Sequence, residues 1–306
     1  MRAADMSSTD ATTPAAADRG ALFMLVITAC GWGLNWTVLK FVLQDWPALF
    51  ARGAAGLLGT AALATLAWLR RESLIVPPEA RLGLAIGAGI NVFAWMGFTA
   101  LSLNWLTVTE GALIAYSMPI WAMLLAWPVN GERPTSRSVL AVALGIGGIA
   151  VLMGGPSFGG EKLPGIALAL AAAMLFATGA VIGRRPAPMP FTAFMAWQVG
   201  LGCLPMVLLS LLIEQPRILS LSPAGACGLL YMAAGPMALC YLTWFSALKR
   251  LPTSVAATGM LIVPIVGSLS AAAMLGDAVG AKELLAMSLA LSGVGLAVAA
   301  RHPAPR

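Results

Sequence analysis

One stretch of this chain, Thr109 to Gly148, is written twice, and that repetition limits what the chain can fold into more than any single motif does. The first copy opens TEGALIAYSMPIWAMLLAWPVNGE at Thr109, and the second opens SVAATGMLIVPIVGSLSAAAMLGD at Ser254. Laying Pro119 on Pro264 is a shift of 145 residues, and the same shift lays Gly131 on Gly276, Glu132 on Asp277, Gly148 on Gly293, Gly20 on Gly165 and Lys40 on Arg185. A single shift covers most of each half, so the chain reads as a duplicated unit.

The unit belongs in lipid. With 59% hydrophobic residues, 10% charged residues and a mean hydropathy of +0.88, the chain cannot furnish the surface of an ordinary soluble domain. The net charge of +6 is spread in ones and twos between apolar runs, which fits membrane orientation and not nucleic-acid binding. Cys30, Cys203, Cys227 and Cys240 sit inside apolar runs without metal-ligand or redox spacing and read as small packing residues.

Residues 1–20 are polar and aperiodic, and are expected to form a disordered tail. Ile27-Thr28-Ala29-Cys30 fits a lipoprotein cleavage pattern, but the apolar run continues to Leu43, which favours a first membrane span. Counting stretches of roughly 20 apolar residues predicts ten spans, at 21–43, 47–69, 82–103, 108–128, 138–154, 164–183, 191–213, 224–248, 253–275 and 281–300. An even number of spans puts both termini on one side. That side holds thirteen Lys/Arg residues against three in the opposite loops (Lys162, Arg217 and Lys282), so both termini are expected in the cytoplasm of a bacterial-type inner membrane.

Five spans per copy turn the second copy over relative to the first. The expected fold class is therefore an all-α polytopic membrane protein of ten transmembrane helices in two inverted five-helix repeats, 21–154 and 164–300, between cytoplasmic tails 1–20 and 301–306. Glu132 then belongs at the cytoplasmic end of span four and Asp277 at the outer end of span nine. Inverted repeats are a recurrent plan of secondary transporters, with cargo held between the halves; the alternative is a duplicated scaffold that moves nothing.

GWGLNWTVLK (31–40), Arg52 after Pro47, the Pro119 to Gly131-Glu132 stretch, GIGG (145–148) and the Pro264 to Gly276-Asp277 stretch together resemble the drug/metabolite transporter superfamily, specifically its EamA-type ten-span exporters. Within it the chain is similar to bacterial amino-acid exporters of the YddG type. The second copy departs from the first, with Gln198 where the first has Arg52 and AMLFATGAVIGRR where the first has ACGWGLNWTVLK, so the halves are expected to contribute unequally.

Polar and aromatic groups at mid-depth are the candidates for cargo contact, because an unpaired polar group in hydrocarbon is costly. Asn35 and Asn91 either bind the amino or carboxylate group of a zwitterion or bond a neighbouring helix. Gly87, Asn91 and Trp95 share a helical stripe with Phe98 at i+11, either as a pocket floor or as core. Trp32 and Trp36 flank Asn35 on adjacent faces, so only one is expected to point inward with it, and Trp32 is that one. Tyr116 stands one turn before Pro119, whose ring frees a backbone carbonyl. Pro119, Pro264 and Gly235-Pro236 read as bends for switching states or as fixed kinks. Tyr241 and Trp244 line a pocket or anchor their helix at an interface.

Lys40 and Glu110 lie near the outer surface, where they could pair, gate the mouth or reach to water. Glu132 and Asp277 follow glycines in turns, and Arg52 is expected to fix the loop after span one. The lone histidine, His302, falls in the tail. Gly145, Gly147 and Gly148, with Ser288, Ser292, Gly293 and Gly295, read as close-packing scaffold, and the spacing of Gly83 and Gly87 allows the same reading.

These residues predict a secondary transporter exporting small neutral or zwitterionic metabolites by alternating access; the resemblance implies aromatic and other apolar amino acids. Export of drugs or other metabolites is the alternative, with cationic drugs held on aromatic faces. Phosphorylated cargo lacks a Lys/Arg cluster to meet it. An intramembrane enzyme lacks a nucleophile–base pair, paired aspartates or a metal site. No cofactor, metal, phosphate-cradling loop, nucleic acid or obligate protein partner is expected; the expected partners are a small-molecule cargo and the bilayer.

Overall fold

The computed structural model describes residues 18–131, 135–154, 160–182, 188–251, 255–256 and 259–300. We number its main helices α1 (Arg19–Val42), α2 (Ala48–Leu69), α3 (Pro78–Ser102), α4 (Val108–Val129), α5 (Ser136–Met153), α6 (Leu163–Ile182), α7 (Phe191–Ile213), α8 (Pro223–Leu248), α9 (Ile262–Leu275) and α10 (Ala281–Ala300). Among the described residues there is no strand. Seven helices, α1–α4 and α6–α8, are long and apolar enough to cross a membrane; α5 and α9 are shorter apolar helices. Most of the expected tails, Glu132, Arg184, Arg185 and His302 lie outside the described residues, as does part of the span expected at 253–275.

The tail expected over 1–20 ends earlier than its composition suggests. The Asp18 carboxylate accepts from Gly20 N at 2.9 Å and Ala21 N at 3.2 Å, so α1 begins at Arg19. Large apolar side chains such as Phe23, Leu212, Ile213 and Leu230 point outward and are mostly exposed, which suits a surface facing lipid. Cys30 and Cys227 are exposed as well, so only Cys203 and Cys240 act as buried packing residues.

Helix packing follows a pattern. Helix α2 packs on α7 and α5 on α10; α1 packs against α8 and α9, while α6 packs against α3 and α4; α3 also meets α7, and α8 meets α2. Adding five to each number in the first half, and subtracting five in the second, returns the same set of pairs.

The backbone repeats this exchange in detail. A β-carbon on Gly148 would lie 2.8 Å from Ala286 O and Ala290 N, and one on Gly293 would lie 2.7 Å from Ala141 O and Gly145 N. Each contact maps onto the other under the 145-residue shift. The α5 and α10 backbones meet where either glycine permits it, and their contacts run antiparallel. So do those of α2 and α7, where a β-carbon on Gly53 would lie 3.0 Å from Val207 N, one on Gly56 2.9 Å from Cys203 Cβ, and one on Gly200 3.0 Å from Thr60 Cγ2.

The ends of α2 and α7 cap each other. Glu214, just past α7, accepts from Leu49 N (3.2 Å) and Phe50 N (3.3 Å) at the start of α2. Glu72, just past α2, accepts from Ala193 N (3.2 Å) and Thr192 Oγ1 (3.0 Å) at the start of α7. Each carboxylate satisfies amides left over at a helix start and meets the positive end of its dipole. Gly131 and Gly276, at φ +74° and +72°, close α4 and α9 in the left-handed region that favours glycine.

Candidate functional site

Two of the helices are locally widened. Within α3, residues Ala88–Gly97 form a π-helical stretch, and within α8, Gly235–Leu239 do the same. The 145-residue shift lays Asn91 on Pro236, inside both stretches. Such wide turns swing side chains off the α-helical stripe and are common at functional sites.

The Pro-centred helices break as well. Helix α4 is interrupted at Tyr116-Ser117, since the Pro119 ring collides with the carbonyl of Ala115 four residues back. The Ser117 hydroxyl, and not the Tyr116 phenol, serves the break by donating to Ile114 O at 2.6 Å. Just ahead of α9 the chain turns at 260–261, and the helix begins at Ile262, two residues before Pro264.

Between these irregular segments lies a cavity of about 410 Å³, lined from α1 to α4 and from α6 to α8. Among the described residues, none from α5 or α10 lines it. From α1 come Trp32, Asn35, Trp36 and Leu39. Trp95 stands 4.9 Å from Phe176 and 6.1 Å from Tyr116, centroid to centroid, and Trp32 stands 5.5 Å from Tyr241 and 5.9 Å from Trp244. The Trp32 indole donates to Pro236 O at 3.2 Å, so the bend in α8 holds one wall of the cavity. The walls are therefore aromatic and apolar, with a few polar groups set among them: Asn35, Arg52, Asn91 and Gln198.

An EamA-like transporter family model matches residues 19–154 and again 163–299. The chain belongs to that family. It is 28% identical over 286 residues to the "Probable amino-acid metabolite efflux pump" of Salmonella typhimurium, covering 89% of this chain and 92% of that protein. The Escherichia coli protein of the same name is 26% identical over 291 residues, covering 90% and 93%. The "Aromatic amino acid exporter YddG" of Ancylobacter novellus is 28% identical over 189 residues, covering 55% of this chain and 64% of that one. A crystal structure at 22% identity superposes with a TM-score of 0.64 over 92% of this chain and 97% of that chain, which shows a shared fold. Like other members of a transporter family, it is a multi-pass membrane protein that handles a small molecule.

Seven of the eight residues expected to meet cargo line the cavity: Trp32, Asn35, Asn91, Trp95, Tyr116, Tyr241 and Trp244. Phe98 does not. It packs edge-on to Phe93 at 6.4 Å, because the wide turns of α3 take up more residues per turn and rotate it off the stripe that a regular α-helix would have kept. Trp36 lines the cavity together with Trp32, contrary to the expectation that only one would face inward. Positions 32, 35, 36 and 39 are i, i+3, i+4 and i+7, which is one helical face. Gly87 is absent from the central lining, and a side chain there would strike the Gln198 amide.

Arg52 corrects a second expectation. It does not tie down the loop after α1; that loop is held by Asp45, which accepts from Ser222 N (3.0 Å) and Oγ (2.6 Å), and by Trp46 Nε1 donating to Ile218 O at 3.3 Å. Arg52 is 7% exposed and faces the cavity, as does Gln198 from α7. A lone arginine inside an apolar run is itself the signal that could have found it.

The two ends of the cavity differ. At one end, the partly exposed Lys40 donates to the carbonyls of Leu103 and Leu106 just past α3 and does not pair with Glu110. Glu110 pairs with Lys162 at 2.7 Å and closes a capping box with Thr107 at the start of α4. At the other end a second cavity of about 800 Å³ shares Asn91, Gly179, Met195, Gln198 and Phe245 with the first, and reaches Glu79 and Phe191.

Proposed function

We propose that this protein exports amino-acid metabolites, those with aromatic and other apolar side chains foremost, by alternating access between two inverted halves of five spans each. The observation that carries the reading is the aromatic-walled cavity at the seam of both halves. Its size suits a small molecule, and its few polar groups suit the polar end of one. The names of the curated relatives point to the same cargo.

The inverted arrangement is supported by the antiparallel packing of α2 on α7 and of α5 on α10. A twofold axis along the membrane normal would bring equivalent helices together in parallel, whereas one lying in the membrane plane brings them together antiparallel, as the glycine contacts have it. With ten spans and the Lys/Arg bias, both termini lie in the cytoplasm of the inner membrane. The wide path past Glu79 and Phe191 then opens inward, and the Lys40 and Glu110–Lys162 contacts close the outer mouth, so the captured state faces the cytoplasm. Pro119, Pro264 and the Gly235-Pro236 bend are the hinges about which the halves rock. Drugs or other metabolites are the competing cargo.

Counterflow into liposomes holding only the purified protein tests this. Radiolabelled phenylalanine, tryptophan, methionine or threonine should accumulate against the same unlabelled amino acid inside, and a sugar phosphate should not. Uptake of the sugar phosphate with none of the four amino acids would overturn the cargo. Tags on the two termini that report opposite faces of the membrane would overturn the topology.

A further inference from the structure

We propose that Arg52 is the anchor for a carboxylate on the cargo, which makes the site one for amino monocarboxylates and not for amines or phosphates. This rests on the export reading above and deepens it. Arg52 is the fifth residue of α2 and is 7% exposed, and its Nε and Nη1 are buried with no hydrogen-bond partner. No Asp, Glu, Lys or His lines the cavity among the described residues, which leaves Arg52 as its only charge. Glu214 and Glu110 are held by other partners, Glu214 by the Leu49 and Phe50 amides and the Ser210 hydroxyl, and Glu110 by Lys162 and the Thr107 N–H.

A buried guanidinium cannot shed its proton, and without a counter-ion its desolvation is uncompensated. A ligand anion supplies what is missing. The guanidinium fork matches the two oxygens of a carboxylate with two parallel hydrogen bonds, and one cation balances one carboxylate, not a phosphate dianion. The cavity also offers an acceptor: Asn35 Oδ1, on a residue 6% exposed, is buried with no partner. An ammonium group on the cargo is the donor it lacks. Trp32 and Trp95 then bound the space left for the apolar side chain. A cationic drug would bring a second positive charge into a cavity that already holds one.

Binding to the purified full-length protein decides the matter, with phenylalanine and methionine each offered as the acid, as the amide and as the decarboxylated amine, and phenylpropionate as an acid without the amine. The wild type should bind each acid roughly 10- to 100-fold tighter than its amide or amine, the span expected for a hydrogen-bonded charge pair. Arg52→Gln should erase that preference, lowering acid affinity by a similar factor while leaving the amides unchanged. Arg52→Lys, which keeps the charge and loses the fork, should fall between.

Equal wild-type affinity for acid and amide overturns the anchor, as does a folded Arg52→Gln protein that keeps wild-type affinity for the acids. Should the Gln variant not fold, the acid-to-amide ratio of the wild type decides alone. Phenylpropionate binding without phenylalanine binding keeps the anchor and removes the amino-acid cargo. Counterflow of phenylalanine with no preference for acid over amide keeps the exporter and removes the anchor. Binding of none of the acids removes both.

Discussion

The helix pair α5/α10 and the helices around the cavity treat the same duplication differently. In α5/α10, equivalent residues do equivalent work: Gly148 admits the backbone at Ala286 and Ala290 as Gly293 admits it at Ala141 and Gly145. Around the cavity, equivalent positions still line the same space, yet their chemistry has parted. Asn35 stands opposite Ala180, Asn91 opposite Pro236 and Met96 opposite Tyr241, and all six line the cavity. The backbone has kept its twofold relation where helices must touch. Side chains have diverged where a single asymmetric molecule must be held, since such a cargo cannot present identical groups to both halves.

The comparison breaks most sharply at the glycines. Gly148→Ala and Gly293→Ala should each destabilise the detergent-solubilised protein by ~1–3 kcal/mol, by equal amounts, because each new methyl meets backbone that cannot move aside. Gly147→Ala, which meets nothing within 4 Å, should leave the melting temperature within the range of a neutral substitution. Unequal losses at Gly148 and Gly293 would mean that the twofold relation carries no energetic meaning.

Next come the cavity walls. Trp95→Ala should shift preference away from aromatic cargo by about tenfold in competition counterflow while the protein still folds, as a lost aromatic contact implies; the equivalent residue, Cys240, should tolerate Cys240→Ala with no change in preference. A preference unchanged by Trp95→Ala would take that wall out of the site.

The reciprocal caps sharpen the scaffold side. Glu72→Ala and Glu214→Ala should each cost about 1 kcal/mol, as lost helix caps do, with matched shifts in thermal unfolding. The smallest effect is at Asp45, in the loop after α1. Its hydrogen bonds from the Ser222 hydroxyl and N–H hold its carboxyl below the ordinary value of 3.8. A folded-state pKa below the unfolded one means the unfolded chain takes the proton more readily. The contact therefore contributes in full above about pH 4 and fades as pH falls through the folded value. Asp45→Asn should remove this fraction of the acid dependence, read as a flatter melting curve against pH below about 4.

Much of the arrangement was legible in the chain because lipid leaves little choice. Apolar runs had to become helices that satisfy their own backbone, and the paired Pro and Gly-acid stretches marked equivalent elements before any contact was known. The aromatic and amide residues were found by the cost of placing polar groups at mid-depth. Phe98 and Trp36 depart from the expected pattern for geometric reasons: one sits beyond a π-helical stretch that no hydropathy pattern announces, and the other shares a face with Trp32 and Asn35 at i+4 and i+1 around the cavity. Arg52 lies close to the start of an apolar run, and that distance alone does not say what it faces. The tilt and packing of α2 against α7, which carry it to the cavity, are not written in that distance.

By itself, then, the sequence determined the helical membrane fold, the duplication with its family membership, and most of the aromatic and amide groups that meet in the centre, because hydrophobic length and periodicity are local quantities. Tertiary structure alone decided that Arg52 stands buried with its Nε and Nη1 unpartnered, that Lys40 is held on the carbonyls of Leu103 and Leu106, and that the two halves touch through Gly148 and Gly293. Those outcomes depend on which helix faces which at what angle, a sum of many weak packing terms that no single stretch of chain encodes.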